Sequence, residues 1–148
     1  MATLARNKRA TFDYELLEEF EGGLVLSGIE VRSIRTGRMQ LEGSFLLIER
    51  GELWLKNAFI APYAPAGSRL DSYDPNASRK VLVHKKQLSR LLGKTQADRL
   101  TLVPISVYTK GPLLKIRFAL AKGKKTHEKR DTIKKREVDR MIRNRMKT

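Results

Sequence analysis

The sequence predicts a mainly β fold with helices: a small closed β-barrel over residues 1–121, followed by a basic tail over 122–148 that holds a latent helix. Three observations carry this expectation. Short apolar runs recur between turns rich in Gly and Pro, and several alternate with period two, as half-buried strands do. No strand–helix–strand repetition accompanies them, which argues against a parallel α/β sheet. Charge is also unevenly spread. The 148 residues carry a net +15, and residues 122–148 alone hold twelve Lys and Arg against four Asp and Glu, about five times the charge density of the rest.

In chain order, Leu4 to Arg9 is polar and basic and reads as a loop able to touch phosphate. From Thr11, the residues Phe12, Tyr14 and Leu16 alternate with Asp13, Glu15 and Leu17, which predicts a strand ended by Gly22-Gly23. Leu24 to Arg35 fits neither period and stays open between strand and helix, with Gly37 closing it. Phe45 to Ile48 and the run containing Leu53 and Leu55 flank Glu49-Arg50-Gly51-Glu52, the pattern of a hairpin. Pro62, Pro65, Gly67, Asp71, Asp74, Pro75 and Asn76 predict a long surface loop from Pro62 to Ser78. Lys80 to Val83 reads as a brief extended run. Leu88, Leu91 and Leu92 place a helix over Lys85 to Leu92 that stops at Gly93. Leu100 to Tyr108 and Leu113 to Leu120 are strands joined at Thr109-Lys110-Gly111-Pro112, with Lys115 and Arg117 on the exposed face of the second. A barrel of the oligonucleotide-binding type fits both size and charge.

Nothing in this pattern predicts catalysis. Gly93-Lys94-Thr95 lacks the glycine five residues earlier that a phosphate-wrapping loop needs, because position 88 is Leu88. His84 and His127 have no cysteine companions and no metal-ligand spacing, so neither a metal nor a cofactor is expected. No serine lies in a nucleophile-elbow pattern. Cysteine is absent, no apolar leader or membrane span is visible, and a soluble, monomeric cytoplasmic protein without membrane contact is the expectation. The positive charge points to a polyanion, above all nucleic acid. Among the aromatics, Phe12, Phe20 and Phe118 read as core, while Tyr14 and Trp54 have a polar edge suited to an RNA boundary.

The tail has too few apolar side chains to offset the ordering of its backbone and is expected to be disordered when free. Opposite charges nevertheless stand at helical spacing in Asp131 and Lys135, Glu137 and Arg140, and Asp139 and Arg143. Val138, Met141, Ile142 and Met146 fall within a stripe of about 140° on such a helix.

Four blocks, Asn7-Lys8-Arg9-Ala10 with Tyr14, Glu21 to Gly37, Arg79 to Lys85, and Ala121 to Lys125 with His127 to Arg130, together resemble the small protein B (SmpB) family, which partners transfer-messenger RNA. They span essentially the whole chain in the family's order. Small departures are Gly22, Glu128 and Val138, where the family usually has Ala, Asp and Trp. The resemblance implies an oligonucleotide-binding barrel, a helix over Gly28 to Arg35, and binding of the tRNA-like domain of transfer-messenger RNA, which is delivered to stalled ribosomes. It assigns the RNA contact to Asn7, Lys8, Arg9, Tyr14, Glu21, Leu82 and Lys115. The tail residues Lys122, Lys124, Lys125, His127, Lys129 and Arg130 would meet ribosomal RNA, probing an empty messenger channel beyond the decoding centre. Two other readings stand beside this one, a general RNA chaperone or assembly factor and a nucleoid-type DNA binder.

Overall fold

The computed structural model describes residues 2–123 apart from positions 64, 66, 68–71 and 98. Its strands and helices run β1 Thr3–Arg6, α1 Ala10–Asp13, β2 Tyr14–Leu24, α2 Gly28–Arg35, β3 Met39–Gln40 and β4 Phe45–Glu49. They continue with β5 Glu52–Lys56, β6 Phe59–Ile60, β7 Arg79–Leu82, α3 Lys85–Ala97, β8 Thr101–Lys110 and β9 Leu113–Gly123. The main sheet has the order β1-β8-β4-β5-β7-β2-β9, and a further β8–β9 pairing closes six of its strands into a ring. The ring is the expected barrel. β1 lies outside it on β8, and β3 pairs with β6 in a separate two-stranded sheet.

Closure puts alternate side chains inside. Phe20 and Phe118 pair across β2 and β9 with ring centroids 5.7 Å apart, and Leu53, Leu55, Leu102, Val107 and Ile116 fill the interior with them. Each fully buried aliphatic or aromatic side chain contributes roughly 1.5–3 kcal/mol of transfer free energy. Ile34 of α2 and Leu91 of α3 are fully buried in the same core.

Local chemistry sets most boundaries. α2 opens with a capping box, in which the Glu30 N–H donates to Ser27 Oγ at 3.3 Å and the Ser27 N–H donates to Glu30 Oε1 at 3.0 Å. It closes at Gly37, whose φ of +79° supplies the left-handed residue that follows a helix. The β4–β5 hairpin turns at Arg50 and Gly51 with φ of 52° and 71°, the twist a two-residue turn between antiparallel strands requires.

Five expectations are corrected. Leu4 to Arg6 is not loop but lies in β1, paired with β8. Phe12 leaves the strand pattern because the Phe12 and Asp13 N–H groups both turn back to the Arg9 carbonyl, forming α1. β2 runs through Gly22-Gly23, where neighbouring backbone and side chains leave no room for a Cβ at Gly22. α3 likewise continues through Gly93 to Ala97, since a helix-interior glycine costs only about 1 kcal/mol and its φ there is not positive. β9 also extends through Lys122 and Gly123, so Lys122, opposite Glu15, is a strand residue.

Candidate RNA interface

β2, β9 and β8 lie side by side, and their register fixes a group of side chains on the outer face. Gly23, Lys115 and Tyr108 stand in one row, and Glu21, Arg117 and Ser106 in the next. The Tyr108 hydroxyl donates a hydrogen bond to Glu21 Oε2, and Lys110 Nζ stands 3.4 Å from Glu21 Oε1. The Arg117 guanidinium lies over the Tyr108 ring, 5.5 Å from its centroid. Lys115 Nζ lies over Gly23, 3.8 Å from where a Cβ would stand. Leu82 of β7, opposite Gly23, is 54% exposed and borders a shallow cavity of about 340 Å³ shared with Glu21, Gly22, His84, Gln87 and Lys115.

The electrostatics follow from these contacts. Hydrogen bonding from Tyr108, then the Lys110 and Lys115 ammonium groups, holds the Glu21 carboxyl below the usual carboxylate value. Burial, and after it the Glu21 carboxylate, pushes the Tyr108 phenol up to about 12. The site therefore combines an ionised acceptor, three cations and an exposed leucine. Cations can take phosphate, the carboxylate can accept from a ribose hydroxyl or a base N–H, and leucine can cover the apolar face of a sugar or base. Among the described residues no cluster of His, Asp or Glu could hold a metal ion.

A second group gathers at the start of β2. Asn7 is buried there: its Nδ2 donates to the Pro104 carbonyl at 2.9 Å, its Oδ1 accepts from the Arg9 N–H at 3.2 Å, and its own N–H donates to the Ile105 carbonyl at 2.8 Å. These bonds pin the turn that carries Lys8 and Arg9 to β8. Lys8 is exposed; Arg9 lies 4.7 Å from the Phe12 ring centroid and pairs with Asp13 at 3.2 Å. Tyr14, half-buried, joins Asn7 and Arg9 around a cavity of about 220 Å³ with Ser44 and Phe45.

The sequence matches the family described as SmpB protein over residues 4–148. The chain belongs to the SmpB family. Among its relatives, the SsrA-binding protein of Sulfurihydrogenibium sp. is 47% identical, with 94% of this chain and 90% of the relative covered. That of Carboxydothermus hydrogenoformans is 48% identical, covering 94% and 92%. A solved chain described under "tmRNA-SmpB: a journey to the center of the bacterial ribosome" is 45% identical with a TM-score of 0.66, covering 82% of this chain and 84% of that one.

The residues that the SmpB resemblance singles out separate into two places. Glu21, Leu82 and Lys115 meet on the outer face, whereas Asn7, Arg9 and Tyr14, with Lys8 beside them, occupy the other end of β2, seven residues or about 23 Å from Glu21. Asn7 has both amide atoms engaged within the protein, each in one hydrogen bond. Lys124, Lys125, His127, Lys129 and Arg130 lie outside the described residues. Tyr108, Lys110, Arg117, His84 and Gln87 join the site without having been singled out. The β8–β9 turn at Gly111 and Pro112 dictates that Tyr108 faces Lys115, but no local signal says that β2 lies alongside.

Proposed function

We propose that this SmpB-family protein binds the tRNA-like domain of transfer-messenger RNA and carries it to stalled ribosomes in trans-translation. The observation that carries the reading is the gathering of Glu21, Leu82 and Lys115 around one cavity in a chain that matches the SmpB family from end to end. Its relatives are named as SsrA-binding proteins, and its structural neighbour is described with transfer-messenger RNA and the ribosome.

In this reading the chain acts by shape and charge in the cytoplasm and performs no covalent step. Lys110, Lys115 and Arg117 take phosphates and supply affinity that falls with salt. Glu21 accepts a hydrogen bond that bulk RNA does not place in the same position, and Leu82 excludes water beside it. The group around Tyr14 faces the ribosome and fills decoding space that a missing anticodon leaves empty. β9 ends beside Tyr14, so residues 124–148 start at that end of the body. Their charge, +8 with Lys122 included, suits entry into an RNA-lined channel vacated by messenger RNA.

The test is competition. The full chain is bound to a labelled tRNA-like domain at physiological salt with excess bulk tRNA and then with excess duplex DNA. Retention against both supports the proposal. Displacement by bulk tRNA would favour a general RNA chaperone, and displacement by duplex DNA a nucleoid-type protein.

A further inference from the structure

We propose that Tyr108 is a positioning residue for RNA recognition: its hydroxyl locks the Glu21 carboxylate so that Oε1 alone faces the RNA. This rests on the function proposed above and identifies a residue that neither composition nor family resemblance brought forward.

The argument is geometric. Glu21 is exposed, and a glutamate on a strand surface samples several rotamers when nothing holds it. Tyr108 is 4% exposed and fixed in the sheet between Thr3 of β1 and Lys115 of β9. Arg117 covers its ring. A ring so held cannot swing, and its one hydroxyl hydrogen is committed to Glu21 Oε2. Among the described residues, the remaining oxygen, Oε1, is met at the rim by Lys110, at 3.4 Å and with the lysine side chain 58% exposed. An exposed ammonium exchanges readily between a carboxylate and a phosphate. RNA can therefore draw Lys110 onto its backbone while Oε1 accepts a ribose hydroxyl or a base N–H. Tyr108 keeps its place, so the carboxylate is already oriented when RNA arrives and less freedom is lost on binding. The charged groups facing Glu21 are Lys110 from β8 with Lys115 and Arg117 from β9. β7 contributes Leu82, and His84 just beyond β7 lines the same cavity as Glu21.

Tyr108→Phe keeps the ring and removes the hydroxyl, and Glu21→Gln keeps the shape and removes the charge. The two variants and their combination are measured in the full chain by competition binding of the tRNA-like domain and by NMR titration of the Glu21 carboxyl carbon. Hydrogen bonds to charged groups predict about a tenfold loss of affinity for Tyr108→Phe. If Tyr108 acts through Glu21, the combined variant binds no worse than Glu21→Gln alone. The Glu21 midpoint in Tyr108→Phe should move up toward the ordinary glutamate value. Multiplying losses, unchanged or tighter binding by Tyr108→Phe, or an unmoved Glu21 midpoint would each overturn the proposal. The outcomes separate it from the function reading: failure of the unaltered chain to prefer the tRNA-like domain refutes that reading, while the NMR titration still decides whether Tyr108 holds Glu21.

Discussion

Arg79 ties three separate parts of the chain together, and its removal should be the most damaging single change in the body. Its guanidinium donates to Glu30 Oε2 at 2.6 Å, to the Ala58 carbonyl at 2.7 Å, to the Pro75 carbonyl at 2.9 Å and to the Tyr73 hydroxyl at 3.4 Å. The side chain is 2% exposed, and that of Glu30 is 14% exposed. Arg79→Leu fills part of the space but strands a poorly hydrated carboxylate and removes the donor to Ala58. Breaking one side of a buried pair costs about 3–5 kcal/mol, and the residual water at Glu30 favours the lower half of that range. At about 3–4 °C per kcal/mol for a chain of this length, the midpoint should fall by roughly 10–15 °C. Ser27→Ala, which removes only the cap of the same helix, should cost about 1 kcal/mol. Glu30→Gln retains a side chain able to cap while removing the charge, and should resemble Arg79→Leu more than Ser27→Ala. Thermal and urea unfolding followed by circular dichroism give all three values. Equal losses for Arg79→Leu and Ser27→Ala would refute the reasoning, because the ion pair would then add nothing beyond the cap.

Other expectations follow from single contacts. A Cβ on Gly22 would stand 2.6 Å from Val81 Cγ1 and 3.1 Å from the Leu82 carbonyl oxygen. Gly22→Ala should therefore cost about 1–3 kcal/mol in urea unfolding, and combining it with Val81→Ala should cost less than the sum of the two. A chain ending at Gly123 keeps all of β9 and should retain the tRNA-like domain against excess tRNA. Its salt dependence should be flatter, and it should fail to support peptide tagging on ribosomes carrying a truncated message; loss of specific binding with the tail would place recognition there instead. Phenolate absorbance should show Tyr108 ionising at about 12, above the ordinary 10.0, a component that Tyr108→Phe abolishes. Because the folded value is the higher, unfolded chains release this proton first, and its contribution to stability falls as pH rises between about 10 and about 12.

What the sequence made legible was local. The β4–β5 and β8–β9 hairpins follow from turn residues and alternation on either side. α3 follows from Leu88 and Leu91, and only its end was misread, because Gly93 looks like a stop until tertiary packing outweighs its modest cost. The strand misread at Phe12 has the same origin: alternation continues from Phe12 into Tyr14 and Leu16, and nothing local announces that the Arg9 carbonyl collects two N–H groups. α2 was undecided by periodicity, since its capping box is a four-residue signal set in a run of mixed spacing. Across the site the limit is different in kind. Lys115 and Arg117 could be placed on an exposed face, but their company with Glu21 depends on β2 pairing with β9 across about a hundred residues of chain. Register between distant strands is a property of the closed ring and leaves no mark in either strand alone.

The ring is not equally joined around its circumference. β2, β9 and β8 are zipped along most of their length, whereas β4 meets β8 at Leu46–Leu102 and β7 meets β2 at Gly23–Leu82 and Leu24–Val81, with one more backbone bond from Val25 to Lys80. Mechanically the barrel is two plates joined along narrow hinges. Glu21 and Lys115 ride on one plate and Leu82 on the other, so a single RNA resting on all three spans the hinge and acts as a rivet. Amides of Gly23, Leu24, Val81 and Leu82 should then exchange with solvent more slowly when RNA is bound, while those deep in the zipped plate change little. Cargo and carrier would stiffen one another, and the particle reaching a ribosome would be more rigid than the protein that set out.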